Sequence, residues 1–312
     1  MIKFKLTILG TNAAGPAFGR ITSCQALEIA QQIILIDCGE ACQIRLREYK
    51  IKTTKIKFIC ISHLHGDHIF GLPGIITKLS NNNRKDSLTI IGPEGIKSFV
   101  DDIIRHSSSH IGYPLEFIEL NHFEGSTNIY GSDKYQIYAF PLDHRITAYG
   151  YRINEILPDF NIKKEAIDLY NLSIEEIKLI KAGKNLVRAT GEKIDFRNCI
   201  KERAEPRSYA YCSDTAYDPK IAKYVEGCQY LYHETTYEHS LANLAKERKH
   251  STSIEAAQIA KQAQVEYLIT GHYSGRYRTV DHLVLEASEV FKNVIKGYDG
   301  LMIDFKKPKS KK

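Results

Sequence analysis

The sequence predicts an α/β fold, and three of its features do so. Short runs rich in β-branched residues alternate with amphipathic segments along most of the 312 residues. Repeated strand-then-helix order of this kind is the mark of layered α/β architecture. Residues of metal-ligand type recur just past the predicted strand ends, at His63, His144, Asp214, His233 and His272, where layered α/β folds gather their sites. The composition, 43% hydrophobic and 26% charged, is that of an ordinary globular chain, and the length suits one large domain or two small ones.

The elements follow in order. Lys3–Leu9 alternates lysine with apolar residues and predicts a first strand. It lacks the continuous apolar stretch and small-residue cleavage site of a signal peptide. The glycine turn Leu9-Gly10-Thr11-Asn12-Ala13-Ala14-Gly15-Pro16 comes next. Ala26–Ile36 predicts a second strand, Gly39–Glu48 a helix, and Lys55–Ser62 a buried strand that runs straight into His63. A helix over Leu72–Leu79 is broken by Asn81-Asn82-Asn83. Then come a strand over Ser87–Gly92, a helix over Gly95–Arg105 and a strand over Tyr135–Leu142 that ends near His144. From Asn154 to Lys193 charged and apolar residues mix at helical spacing, as in Ser173-Ile174-Glu175-Glu176-Ile177-Lys178-Leu179-Ile180, predicting an inserted helical arm over 154–193. Strands over Arg207–Cys212, Gln229–Tyr232 and Glu266–Thr270 end at Asp214, His233 and His272. Helices over Ser253–Gln264 and Val280–Val294 and a last strand, Leu301–Phe305, close a principal domain of residues 1–305, with a basic tail at 306–312.

Composition narrows the function. No stretch approaches the roughly 20 apolar residues of a membrane span, so a cytoplasmic protein with no membrane partner is expected. The seven cysteines, Cys24, Cys38, Cys42, Cys60, Cys199, Cys212 and Cys228, are odd in number, widely spaced and without a C-x-x-C pair. That pattern gives neither a disulfide framework nor a zinc finger, and fits buried thiols in a reducing compartment. The net charge of +6 is compatible with a polyanionic substrate. Part of it lies in the lysines of the tail, which reads as a solvated run.

The chemistry concentrates in His63-Leu64-His65-Gly66-Asp67-His68, three imidazoles and one carboxylate within six residues. Imidazole nitrogen and carboxylate oxygen suit zinc, and also manganese or iron. A loop can fold these groups around two ions, and Gly66 permits its tight turn. A single histidine is most often an ordinary surface or structural residue, but that reading does not explain four ligand types packed behind an apolar strand. Two ions need about eight ligand positions, some bridging and some filled by water. The remainder must come from distant loops, and His144, Asp214 and His272 are the best placed. Taken singly, Asp214 reads as a turn residue and His144 as a surface histidine; their shared strand-end context sets them apart.

These segments resemble the metallo-β-lactamase superfamily and, within it, the ribonuclease Z family. Ile36-Asp37-Cys38-Gly39-Glu40-Ala41-Cys42-Gln43 is similar to that family's D-C-G-E-x-x-Q segment, and Ser62–Gly74 to its S-H-x-H-x-D-H-x-x-G-L-P-G. Tyr211-Cys212-Ser213-Asp214-Thr215 matches its Asp-Thr motif, and Leu268–Tyr277 its L-x-x-x-H-x-S-x-R-Y. His233-Glu234-Thr235-Thr236 stands where the family usually has H-E-A-T, and His250-Ser251-Thr252 matches its H-S-T loop. The first turn, Leu9–Pro16, matches as well, so the likeness covers about residues 1–305.

The resemblance implies an αββα sandwich, two facing mixed sheets with outer helices, plus the arm. It implies two divalent ions, zinc foremost and manganese admissible. His63, His65 and His144 would hold one; Asp67, His68 and His272 the other; Asp214 would bridge them. The implied activity is endonucleolytic removal of the 3′ trailer from precursor tRNA, leaving a 3′-hydroxyl on the tRNA and a 5′-phosphate on the trailer. Asp67 would orient the attacking hydroxide or take its proton as base, with His250 as acid and Glu234 as its orienting partner, and Ser274 and Arg276 near the cut. A homodimer whose arm grips the tRNA elbow is also implied. The arm departs from the family pattern, however: Tyr170-Asn171-Leu172-Ser173-Ile174-Glu175-Glu176 replaces a glycine- and proline-rich stretch. Two rival readings stand beside this one. A hydrolase of small phosphodiesters or cyclic nucleotides would share the metal site, and a silent RNA-binding module would keep metal without turnover.

Overall fold

A computed structural model describes residues 3–203 and 205–306. In chain order the strands are β1 (Phe4–Gly10), β2 (Cys24–Ile29), β3 (Gln32–Cys38), β4 (Ile56–Cys60), β5 (Leu88–Pro93), β6 (Leu115–Leu120), β7 (Thr127–Gly131) and β8 (Tyr135–Leu142). They continue with β9 (Ala148–Glu155), β10 (Leu186–Val187), β11 (Lys193–Ile194), β12 (Ser208–Cys212), β13 (Tyr230–Glu234), β14 (Tyr267–Gly271), β15 (Val294–Lys296) and β16 (Met302–Asp304). One sheet runs β16-β1-β2-β3-β4-β5-β6 and the other β15-β14-β13-β12-β9-β8-β7. Both are mixed: β3 to β6 and β12 to β15 are parallel ladders, while β1, β2 and β3 pair antiparallel, as do β12 and β9.

The period-two pattern of the strands divides their side chains between two layers. Phe4, Leu6 and Ile8 of β1 enter a core shared with Tyr209, Tyr211, Tyr230 and Tyr232 of the second sheet. The alternate residues Ala210 and Leu231 pack outward with Ala257, Ile259 and Ala260 of the helix Ser253–Gln262. On the outside of the first sheet, the helix Leu72–Asn81 buries Leu72, Ile75, Ile76 and Leu79, the spacing of one helical face. The two facing sheets with helices outside are the αββα sandwich. A buried tyrosine needs a partner for its hydroxyl, and these find theirs across the sandwich. Tyr151 donates to the Ile61 carbonyl at 2.6 Å, Tyr149 to Leu120 at 3.1 Å and Tyr211 to Asp37 at 2.7 Å. They tie the sheets together beside the metal-ligand loops.

Two predicted elements differ, and strands also form where none is predicted. Ala26–Ile36 is a hairpin, not one strand: β2 and β3 turn at Ala30 and Gln31, with φ of 50° and 66°. Two-residue hairpins demand such left-handed pairs and usually supply them with Asn-Gly or Asp-Gly, so this sequence hides its turn. The helix expected to reach Val294 spans Asp281–Val290, and Val294 begins β15. β6, β7 and β9 lie where no strand is predicted; β7 is an edge strand with no buried residue, which erases the hydrophobic alternation.

A second compact unit is formed mainly by Glu155–Arg207, with Ser132–Lys134. The chain enters it from Asn154 and leaves it at Ser208, which are paired in register. Its helices are Lys164–Tyr170, Ile174–Lys181 and Phe196–Cys199, and Ala166, Leu172, Ile180, Leu186, Ile194 and Cys199 form a core of its own. The Tyr170–Glu176 stretch is a tight helix-to-helix turn. Asn171 takes the left-handed conformation, and Ser173 and Glu176 close a capping box. Glu176 also accepts from Arg188 at 2.7 Å. The tail beyond Lys306 lies outside the described residues.

Candidate metal centre

β4 delivers the chain through Ile61 and Ser62 to His63. The following loop closes in the helical turn Gly66–Ile69, which carries Asp67 and His68. A Cβ on Gly66 would stand 2.1 Å from the exposed Phe70 ring, so a larger residue there would have to displace that ring. His144 follows β8, Asp214 follows β12, and His272 follows β14 in a left-handed conformation, φ 55°. All seven residues converge. His63, His65, His144 and Asp214 bring their ligand atoms within 4.8 Å of one another, and so do Asp67, His68 and His272.

Asp214 stands between the groups. Its Oδ2 lies 3.8 Å from Nε2 of both His63 and His144, and its Oδ1 lies 3.4 Å from His68 Nε2 and 3.0 Å from His272 Nε2. Asp67 Oδ2 is 3.4 Å from His68 Nε2 and 3.6 Å from His272 Nε2. The Nε2 atoms of His63, His68 and His272 are buried without a hydrogen-bond partner. Such atoms are costly to bury unless something fills their valence. Inward-facing imidazoles around two carboxylates are what a divalent cation fits.

The opposite ring nitrogens are held, which fixes each imidazole's direction. His68 Nδ1 lies 2.8 Å from Asp37 Oδ2, His63 Nδ1 3.0 Å from Ser62 Oγ, His144 Nδ1 2.9 Å from the Lys249 carbonyl and His272 Nδ1 3.0 Å from Thr236 Oγ1. Asp67 Oδ2 accepts from the Ala14 amide at 2.8 Å, which accounts for the Leu9–Pro16 turn. Asp37 is fully buried and also accepts from the Ser62 amide at 2.7 Å, the Ser62 hydroxyl at 2.9 Å and Tyr211.

Burial and charge set the protonation states. Burial alone would raise the Asp67 and Asp214 carboxyls, but the surrounding histidines override it and hold both below the usual carboxylate range. Burial would lower His68, yet Asp67, Asp37 and Asp214 raise it well above the ordinary imidazole value. The surroundings call for positive charge there, which a proton or a metal ion supplies. Burial dominates at His63, His65 and His144 and keeps them neutral, as ligands must be.

His250 and Glu234 form a second device against the first. His250 Nδ1 lies 2.9 Å from Glu234 Oε1 and 3.8 Å from Asp214 Oδ2. Burial opposes its charge, but Glu234 outweighs burial and pushes the imidazole up to about 9. Glu234 is itself fully buried and is fixed by the Thr215 amide at 3.0 Å and the Thr236 amide at 3.1 Å. His250 lines, with His65, Asp67, His144, Asp214 and His272, a cleft of about 310 Å3 whose wall carries Arg145, Arg248, Ser274 and Arg276. Ser274 and Arg276 therefore stand in reach of a bound substrate, and the Arg276 guanidinium lies 5.0 Å from the Tyr237 ring centre. His233 is not part of the cleft: it is buried, with Nδ1 2.8 Å from the Glu234 carbonyl.

The sequence of a Parabacteroides distasonis protein named Ribonuclease Z is 36% identical over 305 residues, covering 97% of this chain and 99% of that relative. A Cytophaga hutchinsonii protein of the same name is 38% identical over 298 residues, 95% of each chain. The chain belongs to the ribonuclease Z family. It is accordingly a metal-dependent hydrolase, an endoribonuclease. The human tRNase Z short form, also in this fold, superposes with a TM-score of 0.69 at 25% identity, covering 96% of this chain and 98% of that one. The Bacillus subtilis metallo-β-lactamase fold protein YhfI superposes at 0.68, over 97% of this chain and all of that one, at 19% identity. The sequence model of a family described as Anti-Pycsar protein Apyc1 matches residues 4–146, which hold His63–His68 and His144 but neither Asp214 nor His272. Among described residues no helix is long and apolar enough to cross a membrane.

For a ribonuclease Z family member the residues around the ligands matter as much as the ligands. The motifs assign no role to Asp37, Ser62 or Thr236. Asp37 has a left-handed φ of 56°, a property no motif spells out. Thr236 joins the two devices, since its hydroxyl donates to Glu234 and stands against His272 Nδ1. Thr236→Val should therefore cut turnover or metal affinity by roughly 10- to 100-fold, as loss of a partner behind a ligand does, while Thr236→Ser stays near wild type. Turnover and bound-metal content of the two variants check this.

Proposed function

We propose that the chain removes the 3′ trailer from precursor tRNA by hydrolysis at this centre, with His63, His65 and His144 holding one divalent ion, Asp67, His68 and His272 a second, and Asp214 bridging. The observation that carries the reading is one cleft in which two ligand groups share Asp214 and the His250–Glu234 pair stands beside them. When bound, zinc or manganese ions polarise the phosphate and lower the pKa of water. The protein supplies the proton transfers. Asp67, kept ionised by its histidines, takes the proton of the attacking water. Water adds to phosphorus, the bond to the 3′ oxygen breaks, and His250 donates its proton to that oxygen. The tRNA keeps a 3′-hydroxyl and the trailer a 5′-phosphate. Glu234 orients His250 and keeps it charged until then. Ser274 and Arg276 hold the RNA near the cut, a cationic contact whose strength falls with salt.

Precursor tRNA is the substrate this reading selects, in a cytoplasmic setting. The homodimer is supported by Phe18 and Ile44, large exposed apolar side chains that line one surface hollow of the principal unit; contiguous apolar surface is what subunit interfaces cover. The arm predicted at 154–193 is read as the tRNA exosite. Its Leu169, Ile174 and Val187 are exposed. Replacing Glu155–Arg207 by a short turn between the register partners Asn154 and Ser208 should raise KM for precursor tRNA about tenfold or more, since contacts that position RNA act on binding. Turnover of a small phosphodiester should stay unchanged. Steady-state kinetics on both substrates check it.

The deciding experiment maps the ends produced from a 3′-extended precursor tRNA. A single cut after the discriminator base, absent in His65→Ala and after chelation, is the expected result. If the metal-loaded protein leaves precursor tRNA intact but hydrolyses a small phosphodiester, the tRNA reading is wrong.

A further inference from the structure

A second polar cavity lies apart from the metal centre. It occupies about 280 Å3 on the outer face of the first sheet, between the starts of β1 and β4 and the segment Tyr49–Lys52. Lys55 stands just before β4 and His63 just beyond it, so the cavity is at the opposite end of that strand from the metal ligands. Lys3, Lys5, Lys50, Lys52 and Lys55 surround it. The alternation that sends Phe4 and Leu6 into the sandwich core sends Lys3 and Lys5 outward.

The charges do not cancel. Glu28 pairs with Lys3 at 2.8 Å and lies 4.0 Å from Lys55. Lys5, Lys50 and Lys52 have no carboxylate within 4.0 Å among the described residues; Glu28 and Asp304, the register partners of Lys5 on its two neighbouring strands, are both beyond that distance from it. Five ammonium groups around one carboxylate repel one another, and an anion among them lowers that energy. Lys50 also takes a left-handed conformation, φ 55°, at a helix end where glycine is the usual solution. The floor is different in character: Ala26 and Ile33 come from the sheet, Ile51 closes one side, and the half-buried Tyr49 ring forms a wall. A half-open hollow with small apolar groups in its floor, an aromatic side and a cationic rim suits a compact ligand with a flat body and a concentrated negative charge. It does not present the extended basic surface that a duplex backbone needs.

We propose that this cavity binds a nucleoside phosphate, either a free nucleotide or the phosphorylated end of an RNA strand. A phosphomonoester carries about −1.5 to −2 charges at neutral pH, which matches the lysines that lack partners, and the base stacks on Tyr49. The site is independent of the cleavage reading, because no residue of it touches the metal centre.

Equilibrium dialysis of the metal-loaded protein with adenosine 5′-monophosphate tests it, beside short oligoribonucleotides with a 5′-phosphate or a 5′-hydroxyl. Asp214→Ala should bind like wild type. The triple variant Lys5→Gln, Lys50→Gln, Lys52→Gln should bind roughly tenfold more weakly or worse, since hydrogen bonds to charged groups are lost, yet keep wild-type turnover of precursor tRNA. Binding of the mononucleotide identifies a free nucleotide as ligand; binding of the 5′-phosphorylated oligonucleotide alone identifies an RNA end. The proposal is overturned if no probe binds, if the triple variant binds as well as wild type, if Asp214→Ala abolishes binding, or if the 5′-hydroxyl oligonucleotide binds as tightly as the phosphorylated probes.

Discussion

Asp214→Ala abolishes cleavage of precursor tRNA and empties the metal centre. This is the largest effect expected of any single substitution, because the Asp214 carboxylate stands between the two ligand groups. Its Oδ2 looks toward His63 and His144 and its Oδ1 toward His68 and His272. Alanine leaves His63 and His144 with no carboxylate between them, and His68 and His272 with Asp67 alone. The charge stabilisation provided by metal at a reacting phosphate is worth several kcal/mol, so turnover should fall by about a thousandfold or more. A purely structural role predicts something else, namely a destabilised protein that still responds to metal. A ligand that binds only the folded state raises the melting temperature. Chelation should therefore lower the Tm of wild type and leave that of Asp214→Ala unmoved. If the variant keeps a full complement of metal and a chelator-sensitive Tm, Asp214 does not bridge the centre.

How much of this centre was legible in the sequence depends on the kind of signal. His63–His68 is local: four ligand types crowd one loop, and the apolar strand before them can be read directly. His144, Asp214 and His272 were found by a weaker rule, their place just past a strand, and the sandwich brings all three to His63. His233 obeyed the same rule and lies outside the cleft, because the strand-end position does not say toward which layer a side chain points. Asp37 shows what sequence leaves out. Its partners Ser62, His68 and Tyr211 come from different segments, and only the packing of the two sheets brings them together. The fold was legible where alternation is clean and the strand is buried, as in β1, β4 and β12. It was illegible at Ala30-Gln31, where the hairpin turn lacks its usual residues, and at β7, whose edge position frees it from any hydrophobic pattern.

The second large effect concerns His250. His250→Ala should lower kcat for precursor tRNA by about 100- to 10,000-fold, the usual worth of a positioned acid, with the metal content unchanged. The direction of the pH dependence follows from Glu234. Imidazole ordinarily titrates near 6.5, and burial would take His250 lower, but the Glu234 carboxylate at 2.9 Å pushes it up to about 9. The protonated ring is the acid, so its contribution is present below that value and is lost as pH rises through it. Glu234→Gln removes the charge and leaves a neutral amide, so the His250 pKa falls back toward or below 6.5. The variant should then be slow at pH 8 and recover as pH is lowered toward 6, with its alkaline limb displaced by about two units from wild type. Leaving-group chemistry separates this role from a structural one. A p-nitrophenyl phosphodiester releases an anion that needs no proton, and on it His250→Ala should run close to wild type. An equal loss on both substrates would show that His250 shapes the centre without donating the proton.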